Sequence, residues 1–301
     1  MKLNKNTVLV LSCIFCVSFL AISYVTAFLV TLLSGERDIT ELEVTYTEVT
    51  ADNESSYATV PSGSVGDTEP SEPSQDEPDK REEYTYDFVA DLSEYEKYMN
   101  PEGDEYLTLI NADNRLSSDY IPPDLIPVIN TRNDRADREM REYAAKALEA
   151  LFIEAEANGM MYVNQSSGQV LSVMSAYRSY SEQSYLHEQR KAQYASYGDK
   201  AGEMAAKIVQ YPGASEHQSG LCCDMHNIPS ADVSFEYQDA AKWLEENCYK
   251  FGYILRYPKD KTEITKVSYE PWHFRYVGRY HASKMHELDM CLEEYWEYLG
   301  K

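Results

Sequence analysis

The sequence predicts an α+β fold: a single compact domain with a small, mostly antiparallel sheet flanked by helices, preceded by a transmembrane helix and a disordered acidic tether. Three observations lead there. Helical and strand-like segments in the C-terminal two-thirds do not alternate as repeated βαβ units. No charged residue occurs from Thr7 to Leu33. From Glu36 to Glu105 there are 22 acidic and 4 basic residues, so most of the chain's net charge of −24 lies in that stretch.

The three regions follow in order. Residues 1–35 read as a cytoplasmic tip and membrane anchor. Val8–Leu33 is dominated by Val, Leu, Ile, Phe and Ala, and as a helix it would reach roughly 39 Å against a hydrocarbon core of about 30 Å. Lys2 and Lys5 precede it and Glu36 and Asp38 follow it. That asymmetry orients a single-pass protein with its N-terminus in the cytoplasm and its bulk outside. Apolar residues continue past the small-residue stretch Val25-Thr26-Ala27, which favours a retained anchor over a cleaved signal.

Residues 36–104 read as a flexible tether, because the Ser-, Pro-, Glu- and Asp-rich run from Ser55 to Pro78 cannot bury enough apolar surface to fold. Within it, Tyr84–Met99 carries enough aromatic residues to pack on a neighbouring domain. Such acidity excludes nucleic acid as a partner.

Residues 105–301 are the working domain, expected to act as a monomer. A short strand is predicted at Leu107–Ile110, then a Pro-punctuated loop through Pro122, Pro123 and Pro127. A helix is predicted over Arg135–Ala157, with Ala144, Ala147, Leu148, Leu151 and Phe152 on one face and Gly159 as its stop. Val163–Val173 reads as a hairpin turning at Ser167-Gly168. Further helices are predicted over Ser181–Tyr197 with Ser181 as N-cap, over Gln238–Phe251 ending at Gly252, and over Ser283–Tyr298. Tyr253–Tyr257 reads as a strand.

Of six cysteines, Cys13 and Cys16 fall in the apolar N-terminal segment. Cys222, Cys223, Cys248 and Cys291 match no zinc-knuckle spacing. They read as small buried residues, with a Cys223–Cys248 pairing left open and one of the adjacent pair able to face a metal site.

The chemistry is carried by two clusters. In Ser215–Asp224, His217 and Asp224 lie seven residues apart across Gly220, a spacing for a loop entering a strand. In Glu270-Pro271-Trp272-His273, Pro271 forbids a regular helix. A catalytic zinc needs three protein ligands and an open position, and His217, Asp224 and His273 would supply them. Glu270 is placed to take the proton of the attacking water. His187, His226, His281 and His286 read as structural.

These residues carry a resemblance. S-x-H-x-x-G-x-x-x-D at Ser215–Asp224 and E-x-W-H at Glu270–His273 resemble the VanY-type D-alanyl-D-alanine carboxypeptidases, zinc peptidases of bacterial cell walls. Tyr177-Arg178-Ser179-Tyr180 with Gln183, and Phe251–Pro258, resemble other blocks of that family, in the expected order. The departure is Cys222-Cys223, where small apolar residues are usual. The resemblance implies that Arg178 stabilises the developing oxyanion, and that Ser215 and Gln183 contact the substrate's carboxylate and peptide. It implies that Trp272 walls the cleft. It also implies one Zn2+ and removal of the C-terminal D-alanine from peptidoglycan stem peptides outside the membrane. L,D-carboxypeptidase action on tetrapeptides, or an inactive wall-binding module, are the alternatives.

Overall fold

The computed structural model describes residues 83–129 and 138–301. Two antiparallel sheets organise them. The smaller pairs β1 (Leu125–Pro127) with β2 (Glu139–Arg141). The larger has four strands, β3 (Ser172–Ser175), β4 (Cys222–His226), β5 (Tyr253–Leu255) and β6 (His273–Tyr276), in the order β3-β4-β6-β5. Every pairing in it is antiparallel, with Cys222 opposite Arg275, Cys223 opposite Phe274 and Asp224 opposite His273.

Strand alternation divides this sheet into two faces. Val173, Cys223, Met225, Phe274 and Tyr276 point into the main apolar core. There they meet Ala144, Ala147, Leu148, Leu151 and Phe152 of helix α1 (Glu142–Ala157), all buried. Cys222, Asp224, His273 and Arg275 occupy the other face, where polar side chains gather.

α1 starts later than predicted, because Glu139–Arg141 forms a strand against Leu125–Pro127 first. Helix α2 (Tyr180–Gln193) is capped by Ser179, whose hydroxyl accepts from the Glu182 N–H at 3.2 Å, rather than by Ser181. Helix α3 (Asp239–Asn247) passes into a tighter turn, Cys248–Phe251, and stops at Gly252. Gly252 has φ +85° and a Cβ there would sit 2.9 Å from the Tyr276 ring, so only glycine fits. The predicted C-terminal helix is two, α4 (Arg279–Leu288) and α5 (Leu292–Tyr298), broken at Asp289 with φ +53°. Leu107–Ile110 joins neither sheet. Arg275 Nη2 donates to the carbonyls of Tyr106 at 3.0 Å and Thr108 at 2.8 Å, taking the place of a neighbouring strand.

One expectation ahead of the domain is corrected. The membrane helix expected over Val8–Leu33 lies outside the described residues, and among the described residues no helix is long and apolar enough to cross a membrane. The longest, α1 with 16 residues, would reach only about 24 Å and carries Glu142, Glu149 and Glu154. Within residues 36–104, Tyr84–Met99 packs on the domain, as its aromatic residues led one to expect. The Val89 and Ala90 N–H groups each donate to the buried Glu154 carboxylate at 2.9 Å, and Leu92, Tyr95 and Met99 enter the core. Cys222, Cys223, Cys248 and Cys291 are all buried free thiols, so Cys223 and Cys248 are not paired.

Candidate active site

His217 lies on a tight turn, Glu216–Ser219, that runs through Gly220 into β4. Gly220 has φ +67°, and a Cβ there would meet Leu125 Cδ2 at 2.9 Å. The turn can therefore reverse the chain and set Asp224 beside His217. Asp224 in β4 and His273 in β6 are direct cross-strand partners. Pro271 keeps the chain before β6 in a turn, closed by the His273 N–H donating to Glu270 O at 3.1 Å, which brings Glu270 alongside.

Hydrogen-bond partners assign the imidazole tautomers. His217 Nδ1 lies 2.6 Å from the Ala176 carbonyl, which only accepts, so Nδ1 carries the hydrogen and Nε2 presents a lone pair. Nε2 is 3.5 Å from Asp224 Oδ2. His273 Nε2 lies 3.4 Å from Glu216 Oε2 and donates to it, leaving the Nδ1 lone pair 3.1 Å from Asp224 Oδ1. In their neutral forms, therefore, the two imidazoles turn their hydrogen-free nitrogens, Nε2 of His217 and Nδ1 of His273, toward one carboxylate. Such a set is complementary to a cation. These donors, two N and one carboxylate O, fit a three-ligand zinc site.

Electrostatics agree with that chemistry. Burial alone would raise the Asp224 carboxyl, but the imidazoles of His217 and His273 override it and hold it well below the usual carboxylate range. Burial opposes charge on both imidazoles, yet their pKa values rise, through Cys222 and Asp224 for each. The cluster attracts positive charge. Glu270 behaves in the opposite way: burial, with Asp224 nearby, lifts its carboxyl to about 7, against the lowering pull of His273. Its Oε2 is 3.7 Å from His273 Nδ1. A base poised near neutrality can accept a proton and return it.

All eight residues singled out from sequence line one cavity of about 210 Å³: Arg178, Gln183, Ser215, His217, Asp224, Glu270, Trp272 and His273. Arg178 is tied to the site by its backbone N–H, which donates to His217 O at 3.1 Å. Its guanidinium acts on both His217 and Glu270, and its Nε is buried without a partner. Gln183 donates its amide to Gln210 O at 2.7 Å, which leaves its carbonyl Oε1 buried and unpartnered. That atom suits a substrate N–H better than a carboxylate. Arg190 and Tyr257 also line the cavity, with the Tyr257 ring 4.9 Å from that of His273. Ser215 and Trp272 form wall positions.

Sequence reasoning missed the support behind the ligands. Glu216, fully buried, accepts from Arg256 Nε at 2.8 Å and Arg275 Nη1 at 2.7 Å through Oε1, which keeps Oε2 for His273. Burial would raise its carboxyl, and the two guanidinium groups hold it well below the usual range. Arg256 in turn makes a two-pronged pair with Glu293 at 2.7 and 2.8 Å. The available signal was an acidic residue inside the His217 cluster followed by two arginines, one just past the end of β5 and one on β6. Of the adjacent cysteines, one of which could face a metal site, it is Cys222, on the face of β4 that carries Asp224, that lies with His217 and His273 in a group whose ligand atoms are all within 4.8 Å of one another. Burial would raise its thiol, and the two imidazoles bring it down to about 7. The four other histidines have structural roles; His187 Nδ1, for instance, bonds Val209 O at 2.8 Å, and His286 stacks on Tyr249.

A family model described as VanY, D-alanyl-D-alanine carboxypeptidase, matches residues 137–279. A D-alanyl-D-alanine carboxypeptidase of Enterococcus faecalis is 36% identical over 200 residues, 64% of this chain and 68% of the relative. Among solved structures, the LdcB LD-carboxypeptidase matches with a TM-score of 0.55 at 35% identity, over 63% of this chain and 84% of its own. A variant of the vancomycin-resistance D,D-pentapeptidase VanY from a VanB-type cassette, in complex with Zn(II), matches with a TM-score of 0.52 at 34% identity, over 64% of this chain and 98% of its own.

Proposed function

The chain belongs to the VanY family of D-alanyl-D-alanine carboxypeptidases, and from that premise we propose a zinc-dependent D,D-carboxypeptidase acting on peptidoglycan stem peptides outside the cytoplasmic membrane. The observation that carries the metal is the convergence of the His217 and His273 lone pairs on the Asp224 carboxylate, beside Glu270. The Zn(II) in the related VanY structure supports the choice of ion.

His217, Asp224 and His273 would hold the ion, which when bound supplies Lewis-acid polarisation of the scissile carbonyl and an acidified water. The chain's own residues do the rest. Glu270 takes a proton from the attacking water and returns it to the amine of the departing D-alanine. Arg178, its charge already directed at the site, stabilises the oxyanion that forms on the carbonyl. Glu216 fixes the His273 ring so that Nδ1, not Nε2, faces Asp224. The Gln183 carbonyl oxygen accepts a substrate N–H, Ser215 contributes a hydroxyl to the wall, and Trp272 limits the space beside a methyl-sized side chain.

The likeness to LdcB supports one alternative, L,D-carboxypeptidase action on tetrapeptide stems. An inactive wall-binding module is disfavoured, since it would need neither Glu270 near neutrality nor Arg178 at the cavity. The deciding experiment incubates the zinc-loaded protein with pentapeptide and tetrapeptide stems and measures free D-alanine. Release from the pentapeptide is expected; release from the tetrapeptide alone would transfer the assignment to the L,D reaction, and release from neither would remove the enzymatic reading.

A further inference from the structure

Helix α2 presents more to the cavity than the reaction at the metal end uses. Gln183, His187 and Arg190 recur at helical spacing on one face of α2. The first two fasten that face to the wall beside it: Gln183 Nε2 donates to Gln210 O at 2.7 Å, and His187 Nδ1 bonds Val209 O at 2.8 Å. Arg190, the third, lines the same cavity as Gln183, together with Ile208, Val209 and Val267. Its Nη1 donates to the neutral Gln193 Oε1 at 3.1 Å, while Glu188, earlier on the helix, pairs with Lys191 at 3.2 Å. The carboxylates of the cavity lining are Asp224 and Glu270, and both belong to the catalytic cluster. Arg190 therefore brings to the cavity a guanidinium that no carboxylate among the described residues matches.

Distance decides what it can meet. From Gln183 to Arg190 is about two turns of helix, a rise of about 10 Å, which equals about three residues of extended peptide. A carboxypeptidase substrate ends one residue, about 3–4 Å, beyond the scissile bond. With Gln183 Oε1 taking an N–H close to that bond, the departing residue stays at the catalytic end. The upstream chain alone is long enough to reach Arg190.

We propose that Arg190 is a specificity-determining residue that binds a free carboxylate carried by the stem peptide upstream of the scissile bond. The inference rests on the reading of the protein as a peptidoglycan carboxypeptidase. A planar guanidinium takes a carboxylate through two parallel N–H donors, and Ile208 and Val267 give apolar contact to the methylenes that carry it. Stem peptides offer that group in two places: the α-carboxylate of a γ-linked glutamate at the second position, and the side-chain carboxylate of a diamino acid such as diaminopimelate at the third.

The test measures kcat/KM for D-alanine release by the intact, zinc-loaded chain from stems of both lengths, supplied in matched pairs. In one pair the second-position carboxylate is compared with its amide, and in the other the third-position carboxylate with its amide; the amide keeps the size and removes the charge. The wild type is expected to prefer the acid in at least one pair by roughly 3- to 20-fold, between an exposed ion pair and a charge-assisted bidentate one. The effect should lie in KM, because the contact is the same before and during the reaction. The pair that shows it identifies the carboxylate. The preference should shrink in high salt, vanish in Arg190→Gln and partly return in Arg190→Lys. Wild-type rates no higher on acid than on amide in both pairs would overturn the role of Arg190 and leave the carboxypeptidase reading standing. A preference that survives in Arg190→Gln would do the same. Release of D-alanine from none of the peptides would overturn the carboxypeptidase reading itself, and this inference with it.

Discussion

The two faces of the four-stranded sheet are built from the same strands and differ in almost everything else. One face presents Val173, Cys223, Met225, Phe274 and Tyr276 to α1, and its cohesion comes from apolar burial. The other presents Cys222, Asp224, His273 and Arg275, whose neighbours are Glu216, Arg256 and the cavity. Adjacent residues of one strand therefore do opposite work: Cys223 fills a core, and Cys222 touches two imidazoles. The apolar face stabilises the fold with no chemistry, whereas the polar face gathers charges that are tolerable only because each is matched. A fold that pins the register with one face can hold a reactive cluster on the other without that cluster having to stabilise it.

The comparison predicts that substitutions on the polar face cost function first. The largest effect is expected from His273→Ala, with His217→Ala and Asp224→Ala alike: turnover falls to background and zinc is lost on dialysis while the far-ultraviolet circular dichroism is kept. Stoichiometric zinc in the His273 variant would remove it from the ligand set. Next is Glu270→Gln, which keeps the metal but lowers turnover by about two to four powers of ten, since an amide cannot accept the water's proton. Its pH profile carries a sign. Burial pushes the Glu270 carboxyl up to about 7; it must be ionised to act as a base, so wild-type kcat/KM should rise with pH through an acidic limb at or below neutrality. The Gln variant should lack that limb. Arg178→Ala should lose about two to three powers of ten, with the metal retained and the limb preserved.

The polar face was the more legible of the two in sequence. His217, Asp224, Glu270 and His273 sit in short patterns whose residue types have few structural uses together. The supporting charges escaped because their partners are remote: Glu216 meets Arg256 and Arg275 across 40 and 59 residues, and no local periodicity signals such a meeting. Among the elements, helix stops at Gly159 and Gly252 were readable, because glycine with positive φ has one main use. The break at Asp289 was not, since aspartate adopts a left-handed conformation without a sequence signal of its own. Leu107–Ile110 has strand composition, but the Arg275 guanidinium takes the carbonyls of Tyr106 and Thr108, a choice made by tertiary contacts.

On the apolar face the expected losses are in stability. Phe274→Ala should cost about 3–5 kcal/mol of unfolding free energy, the usual penalty for emptying a fully buried aromatic site. Denaturant unfolding measures it, and the folded fraction should still bind zinc in full stoichiometry. If zinc binding is lost at concentrations where the variant remains folded, the two faces are coupled and the division of labour between them fails.

The smallest effect expected is the sharpest test of the register. Cys223→Ala removes one buried sulfur from the core, comparable to deleting a methylene, and should cost about 0.5–1.5 kcal/mol. Zinc should stabilise this variant by the same increment as it does the wild type, because ligand binding adds a term set only by affinity and free concentration. Measuring the urea midpoint of each protein with zinc and with a chelator isolates that increment. Strand side chains alternate, so a pairing shifted by one residue would turn Cys223 toward His217 and His273 and bury Cys222 and Asp224 in the core. A zinc increment that shrinks in Cys223→Ala would mean that the register of Cys223 with Phe274 is wrong, and with it the placement of Asp224 opposite His273. An unchanged increment with a modest loss of stability leaves Cys223 on the apolar face and Cys222 as the cysteine beside the imidazoles.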